Sequence, residues 1–416
     1  MPEQFVEAGS TARLGSVSGD LRVGRSATIM AESGNKVTVA GAANFEGAVT
    51  IACDFECGSV RVEGRGFGPG PAHGNVTVKG SLLVHGDLEI DASADISGGV
   101  TAEGVDVGGH LESGGISAKG VRVGGHMKTR GPLKAGDVDV GGHMSVDEQV
   151  DIANLNVGGH AEIGGGTIKG NVRVRGHIKT SAALTYGALQ VYGHLVLPAG
   201  SSGDRLHALG KVEFEGDTRC KVVEVNGTAR ADGDFTADSM KVNGKLDVKG
   251  SLNISEKFEV FGSADAKDRV ECGTLMVGGK LAAEKIDTSG RAEVGGEVRT
   301  ARGLKARDVV VGTGSRISGP IVGESVEVGK GPITSAWTAL ASLHNLGRMT
   351  RVEDVYGKDV RIDRYSRAGR VFTETVRMQS GSMADEVIFT KEADISEGVH
   401  LEKPPRKADR LPDAPS

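Results

Sequence analysis

The sequence is poor in aromatic residues: Phe, Tyr and Trp together make up 4% of its 416 residues, with a single Trp. A core built on large rings is thereby excluded, and the interior falls to Val, Ile and Leu. Long hydrophobic runs are missing as well, since no stretch approaches the ~20 apolar residues of a membrane span. The N-terminal MPEQFVEAGS carries neither a basic n-region nor an apolar h-region, so the chain reads as cytoplasmic. Charge of one sign is also absent. The 49 basic and 55 acidic residues are interspersed, for a net charge of −6, which disfavours nucleic acid as a partner. Of the four cysteines, Cys53, Cys57, Cys220 and Cys272, only the first two are close, and C-x3-C without companions is a poor zinc signature. No metal or other cofactor is expected.

Glycine is what the chain has in excess, at 65 residues, and it is distributed periodically. The string V-x-G-H recurs with its histidine at His110, His126, His143, His160, His177 and His194, spaced 16, 17, 17, 17 and 17 residues apart. Counting on by 17 reaches Lys211, Thr228 and Lys245, the last two again after Val-Asn-Gly, so the period outlives the histidine. After one extra residue at Ser263 it continues through Lys280, Glu297, Gly314 and Gly331. Residues 43–104 hold the pattern less regularly, and FGPGPAHG at 67–74 reads as a loop.

Within a repeat the alternation has the period of a strand. Val105, Val107 and Leu111 point one way, as do Val121, Val123 and Met127, while Asp106, Arg122 and Asp139 point outward. A second apolar cluster follows in each repeat, at Ile116, Ile152, Ile168 and Leu184. Two or three short strands per ~17 residues, joined by Gly-rich corners, describe one coil of a parallel β-solenoid, and about 18 such coils are expected. A helical repeat would need a 3.6-residue apolar period and far fewer glycines.

The organisation expected is an N-terminal segment 1–20, a main solenoid 21–331, an interruption 332–349, C-terminal coils 350–402 and a Pro-rich, charged, disordered tail 403–416. In the interruption Trp337, Leu340, Leu343 and Leu346 recur every three residues, which fits a short helix or an irregular coil. The period then returns at 16, aligning Val355-Tyr356, Val371-Phe372 and Val387-Ile388. With Phe389 these last coils are rich in aromatic and aliphatic residues, and no capping helix is visible. They are therefore the expected contact for end-to-end self-assembly.

Catalytic chemistry has few footholds. Six histidines at one repeat position would stack about 5 Å apart, an arrangement able to bind metal or collect protons, although a corner ladder of like residues accounts for it structurally. This supports the alternative reading, a β-helix enzyme or a metal- or ligand-binding module. The stacked-coil acyltransferases and their carbonic-anhydrase relatives use strict hexapeptides, which 16- and 17-residue coils do not match. No Ser-His-Asp set, P-loop or paired catalytic carboxylate stands out, so no enzymatic activity and no small-molecule substrate are expected. A surface adhesin is disfavoured by the missing secretion signal.

The C-terminal coils VEDVYGKDVRIDRYSRAGR, VFTETVRMQSGSMADE and VIFTKEADISEGVHLEKPP, with the Pro-rich tail after them, resemble the bactofilins, a family of polymer-forming cytoskeletal β-helix proteins. Upstream repeats such as VRVGGHM and VTVKGSLLVHGDLEI look similar, extending the resemblance over most of residues 20–402. The resemblance implies a right-handed, three-faced β-helix that polymerises end to end without nucleotide, often on the inner membrane face, to organise cell shape or localise proteins. It also implies that an aromatic near the C-terminal coil matters for polymerisation, and Phe389 or Phe372 are the matching positions. The chain departs from typical members in length and in lacking an obvious N-terminal membrane-targeting peptide. Its expected partner is itself, with the inner membrane surface or a protein recruited by the tail as further partners.

Overall fold

The computed structural model describes residues 3–63, 74–331 and 348–415. Short parallel strands stack as a β-solenoid of about 22 turns, with no helix among the described residues. The loop expected at 67–74 falls outside them but for Gly74, and so does the interruption at 332–349 but for Arg348 and Met349. The chain divides into two compact units, Met1–Gly203 and Asp204–Ser416.

In the first unit each regular turn makes three parallel pairings. One turn pairs Met127 with Met144, Leu133 with Val150 and Val138 with Leu155. Because side chains alternate across each strand, every pairing stacks one inward residue on another, and the interior becomes a set of aliphatic columns. One column runs Val107, Val123, Val140, Val157, Val174 and Val191, all buried. Another runs Leu111, Met127, Met144, Ala161, Ile178 and Leu195. Asp106, Arg122 and Asp139 face outward, as the alternation requires. Turns one residue longer or shorter leave the faces intact, because the shift falls at a corner such as that between Ile152 and Leu155.

Two boundaries differ from the sequence-based expectation. The solenoid begins before residue 21, since Gln4–Val6 pairs with Leu21–Val23, and Thr11–Leu14 with Ala27–Ala31. The valine column extends upward through Ile90, Val62, Phe45, Val23 and Val6. The intervening loops vary in length, so a fixed period undercounts the turns.

In the second unit the same kind of column runs Val225, Val242, Val260, Val277, Val294, Val311, Val328, Ile362 and Met378. Each of these nine is 0% exposed. The few large rings are spent here too: Phe214, Phe235 and Phe258 are fully buried, the first two edge-on with centroids 5.0 Å apart. Asp side chains close some corners, Asp217 accepting a hydrogen bond from the Asp234 amide at 2.9 Å and Asp234 one from the Ser251 amide at 2.7 Å.

The second boundary to change is the tail. Residues 403–416 were expected to be disordered, yet Arg406–Lys407 is a strand paired in register with Ile388 and Phe389. Two prolines and many charges give the segment a disordered composition, but the last coil offers its backbone hydrogen-bond acceptors, and the segment takes them.

Candidate functional site

The six histidines form one column at the corner between the valine and leucine columns of the first unit. From His110 to His160 the rings stack with centroids 4.7, 4.7 and 4.9 Å apart and planes within 7° of parallel. His177 stacks less closely at 5.8 Å, and His194 lies edge-on to it. The first four are exposed and the last two half-buried. The backbone fixes the stack: Leu111, Met127 and Met144 donate their amides to the carbonyls of His126, His143 and His160 in the following turn, each at 2.8 Å.

The glycine before each histidine is dictated by that spacing. A Cβ at Gly125, Gly142 or Gly159 would lie 2.7, 2.6 or 2.6 Å from the carbonyl oxygen of the glycine one turn earlier, below the 3.0 Å that real Cβ contacts respect. Corner packing between turns thus explains the G-G-H string.

Chemically the column is a row of imidazoles whose in-plane nitrogens point side by side. His126 Nδ1 lies 2.9 Å from His110 Nε2, a bond that needs a lone pair on one ring and a proton on the other. Burial, and then the neighbouring His194 and His160, hold the His177 pKa below its ordinary value. Among the described residues no group of three or more His, Cys, Asp or Glu side chains is arranged to hold a metal ion. Cys53 and Cys57 are buried thiols in the core, Cys57 pushed up to about 12 by burial and the nearby Glu56 charge.

The expected assembly residues at the C-terminal end fall into two groups. Val355, Val371 and Val387 stack in register inside the solenoid and are 0% exposed, so they build the core and are not a contact surface. Their neighbours Tyr356, Phe372 and Ile388 form a parallel column on the other side of the strand. Tyr356 stacks on Phe372 with centroids 4.8 Å apart, and the Arg370 guanidinium sits 5.7 Å from the Phe372 ring. Arg370 also binds Asp354, its Nε 3.1 and 3.2 Å from the two carboxylate oxygens. Burial alone would push Asp354 up, but the hydrogen bonds and charge of Arg370 outweigh it and leave the carboxyl below its usual range. Phe389 is half-buried. Beside this column lies a groove of 590 Å³, lined by Tyr356, Arg351, Arg367 and Arg370, which Pro415 of the tail also lines.

Two features at this end were not anticipated from the sequence. The first is that the valine column does not finish buried: above Met378 comes Ile395, half-exposed, and above Val376 comes Ala393, likewise half-exposed. The second is the tail pairing. Its only signal was spacing, Arg406 and Lys407 falling 18 residues after Ile388 and Phe389.

Comparison with protein-family models, curated proteins and solved structures finds no match to this chain. What the fold defines is a parallel β-solenoid, a class suited to a structural scaffold. Among the described residues no helix is long and apolar enough to cross a membrane.

Proposed function

We propose that the protein is a structural, self-assembling scaffold subunit of bactofilin type, joining copies through the end of its C-terminal coils without nucleotide, and not an enzyme. The observation that carries this reading is the core column that is fully buried from Val225 to Met378 and arrives half-exposed at Ile395. Beside it, Thr390–Ile395 of the strand Met383–Ile395 has no partner strand on its far side among the described residues. A further coil would cover both.

Magnitudes bear on how much of the end must engage. Completing the burial of Ile395 contributes up to about 1.5–3 kcal/mol, and a few backbone pairs about 1 kcal/mol each. Association costs an estimated 4–15 kcal/mol in lost translational and rotational freedom. One open face therefore gives weak association, and stable assembly needs the coil's other faces too.

The test is Ile395→Arg, examined by negative-stain electron microscopy of nucleotide-free protein. Ordered polymers of the unaltered chain should give way to short oligomers while the β-sheet circular dichroism stays the same. Polymers unchanged in length and abundance would show that this end is not the contact.

A further inference from the structure

The open face is only part of the last coil, because the chain folds back over the rest. The amides of His400, Glu402, Lys403 and Ala408 donate to the carbonyls of Ser382, Ala384, Asp385 and Phe389 at 3.0, 3.1, 3.1 and 2.8 Å. These acceptors line the edge that a following turn would use, and here they receive β-type bonds from the chain itself. We infer that the edge Met383–Phe389 is a docking surface for a second copy of this chain, held shut in cis by residues 399–408. This rests on the reading of the protein as self-assembling and names how that assembly is restrained.

The segment differs from a true turn in ways that make it a displaceable lid. Its strands, His400–Leu401 and Arg406–Lys407, are two residues each, where Val355–Ile362 and Ser366–Met378 below it have 8 and 13. Above Ile388 and Phe389 it places Arg406 and Lys407, both exposed, where turns lower down stack apolar residues. Pro404 and Pro405 lack amide hydrogens, so the outer side of the lid presents a broken edge to any incoming strand. Its side-chain anchors are exposed ion pairs, Glu402 with Arg367 at 3.1 Å and Lys403 with Glu386 at 3.5 Å, which water and salt weaken. A second copy bringing a regular turn would replace each of these bonds, add apolar cover for Ile388 and Phe389, and engage Thr390–Ile395 at the same time. The lid thus blunts the edge against chance pairing and sets a threshold for specific pairing.

The experiment compares the unaltered chain with a chain ending at Glu397 and with a full-length Glu402→Lys/Ala408→Pro variant. The double variant removes the Ala408 donor and reverses the pairing with Arg367 without shortening the chain. Critical concentration for assembly is read by sedimentation and electron microscopy, with circular dichroism confirming the fold. Both variants should assemble at a critical concentration lower by about tenfold or more, the factor that corresponds to about 1.4 kcal/mol. If truncation unfolds the protein, the full-length variant decides. Equal critical concentrations for all three proteins would overturn the lid and leave the scaffold reading standing. Failure of all three to assemble at any concentration would overturn both.

Discussion

Replacing Gly142 by alanine should weaken the first unit, whereas replacing Gly120 by alanine should not. The new Cβ at position 142 would sit 2.6 Å from the Gly125 carbonyl oxygen, so the adjacent turn must retreat until that distance exceeds 3.0 Å. The same oxygen accepts the Gly142 amide at 3.0 Å, and retreat stretches that bond. Overpacking of this kind costs about 1–3 kcal/mol, and a compromised backbone hydrogen bond about 1 kcal/mol. Stiffening of the unfolded chain returns about 0.4–1 kcal/mol, leaving a net loss of about 1–3 kcal/mol. At Gly120 the nearest atom to a Cβ is the Asp137 carbonyl oxygen at 3.9 Å, an ordinary contact. There only the unfolded-chain effect acts, and a gain of about 0.4–1 kcal/mol is expected. Urea unfolding followed by far-ultraviolet circular dichroism measures both, and because both sites lie in one unit any departure from two-state behaviour is shared. Equal shifts for the two variants would refute the close-approach account of the G-G-H string.

The first unit should also weaken in acid through His177. Its folded pKa lies below its unfolded value of about 6.5, so stability is complete above that pH, declines as pH falls towards the folded pKa, and levels off beneath it. His177→Gln should flatten this part of the profile in denaturation midpoints measured from neutral to mildly acidic pH, with Glu162 and Lys179 left in place; an unchanged slope would contradict it. The four cysteines are buried, with burial pushing Cys57 up to about 12 and Cys272 up to about 11. Ellman's reagent at mildly alkaline pH should therefore find no rapidly reacting thiol in the native protein and four after denaturation. One fast equivalent in the native state would show that a coil opens locally.

How much of this was legible in the sequence depended on regularity. From Val107 to Val191 the turns keep a 16- or 17-residue step, so Val, Leu and His positions aligned by counting land in register, and the inward and outward faces follow from alternation. Between Val23 and Ile90 the same column is present, but partners such as Val62 and Ile90 are separated by a long loop, and a fixed period cannot find them. Val355, Val371 and Val387 were readable as aligned yet not as buried, since register alone does not say which of two neighbouring residues faces the core. The neighbouring pair Val371-Phe372 is buried on both sides, one by the interior and the other at the Tyr356 stack. The tail escaped because composition argued for disorder, while what orders it is a set of carbonyls on a turn earlier in the chain.

The central claim is that copies join by continuing the solenoid. Fibre diffraction from aligned, nucleotide-free assemblies tests it most directly. The account predicts that the ~4.8 Å spacing between turns lies along the assembly axis, because each copy adds its strands in line with those of the last. A ~4.8 Å reflection perpendicular to that axis, from copies bundled side by side, would contradict it.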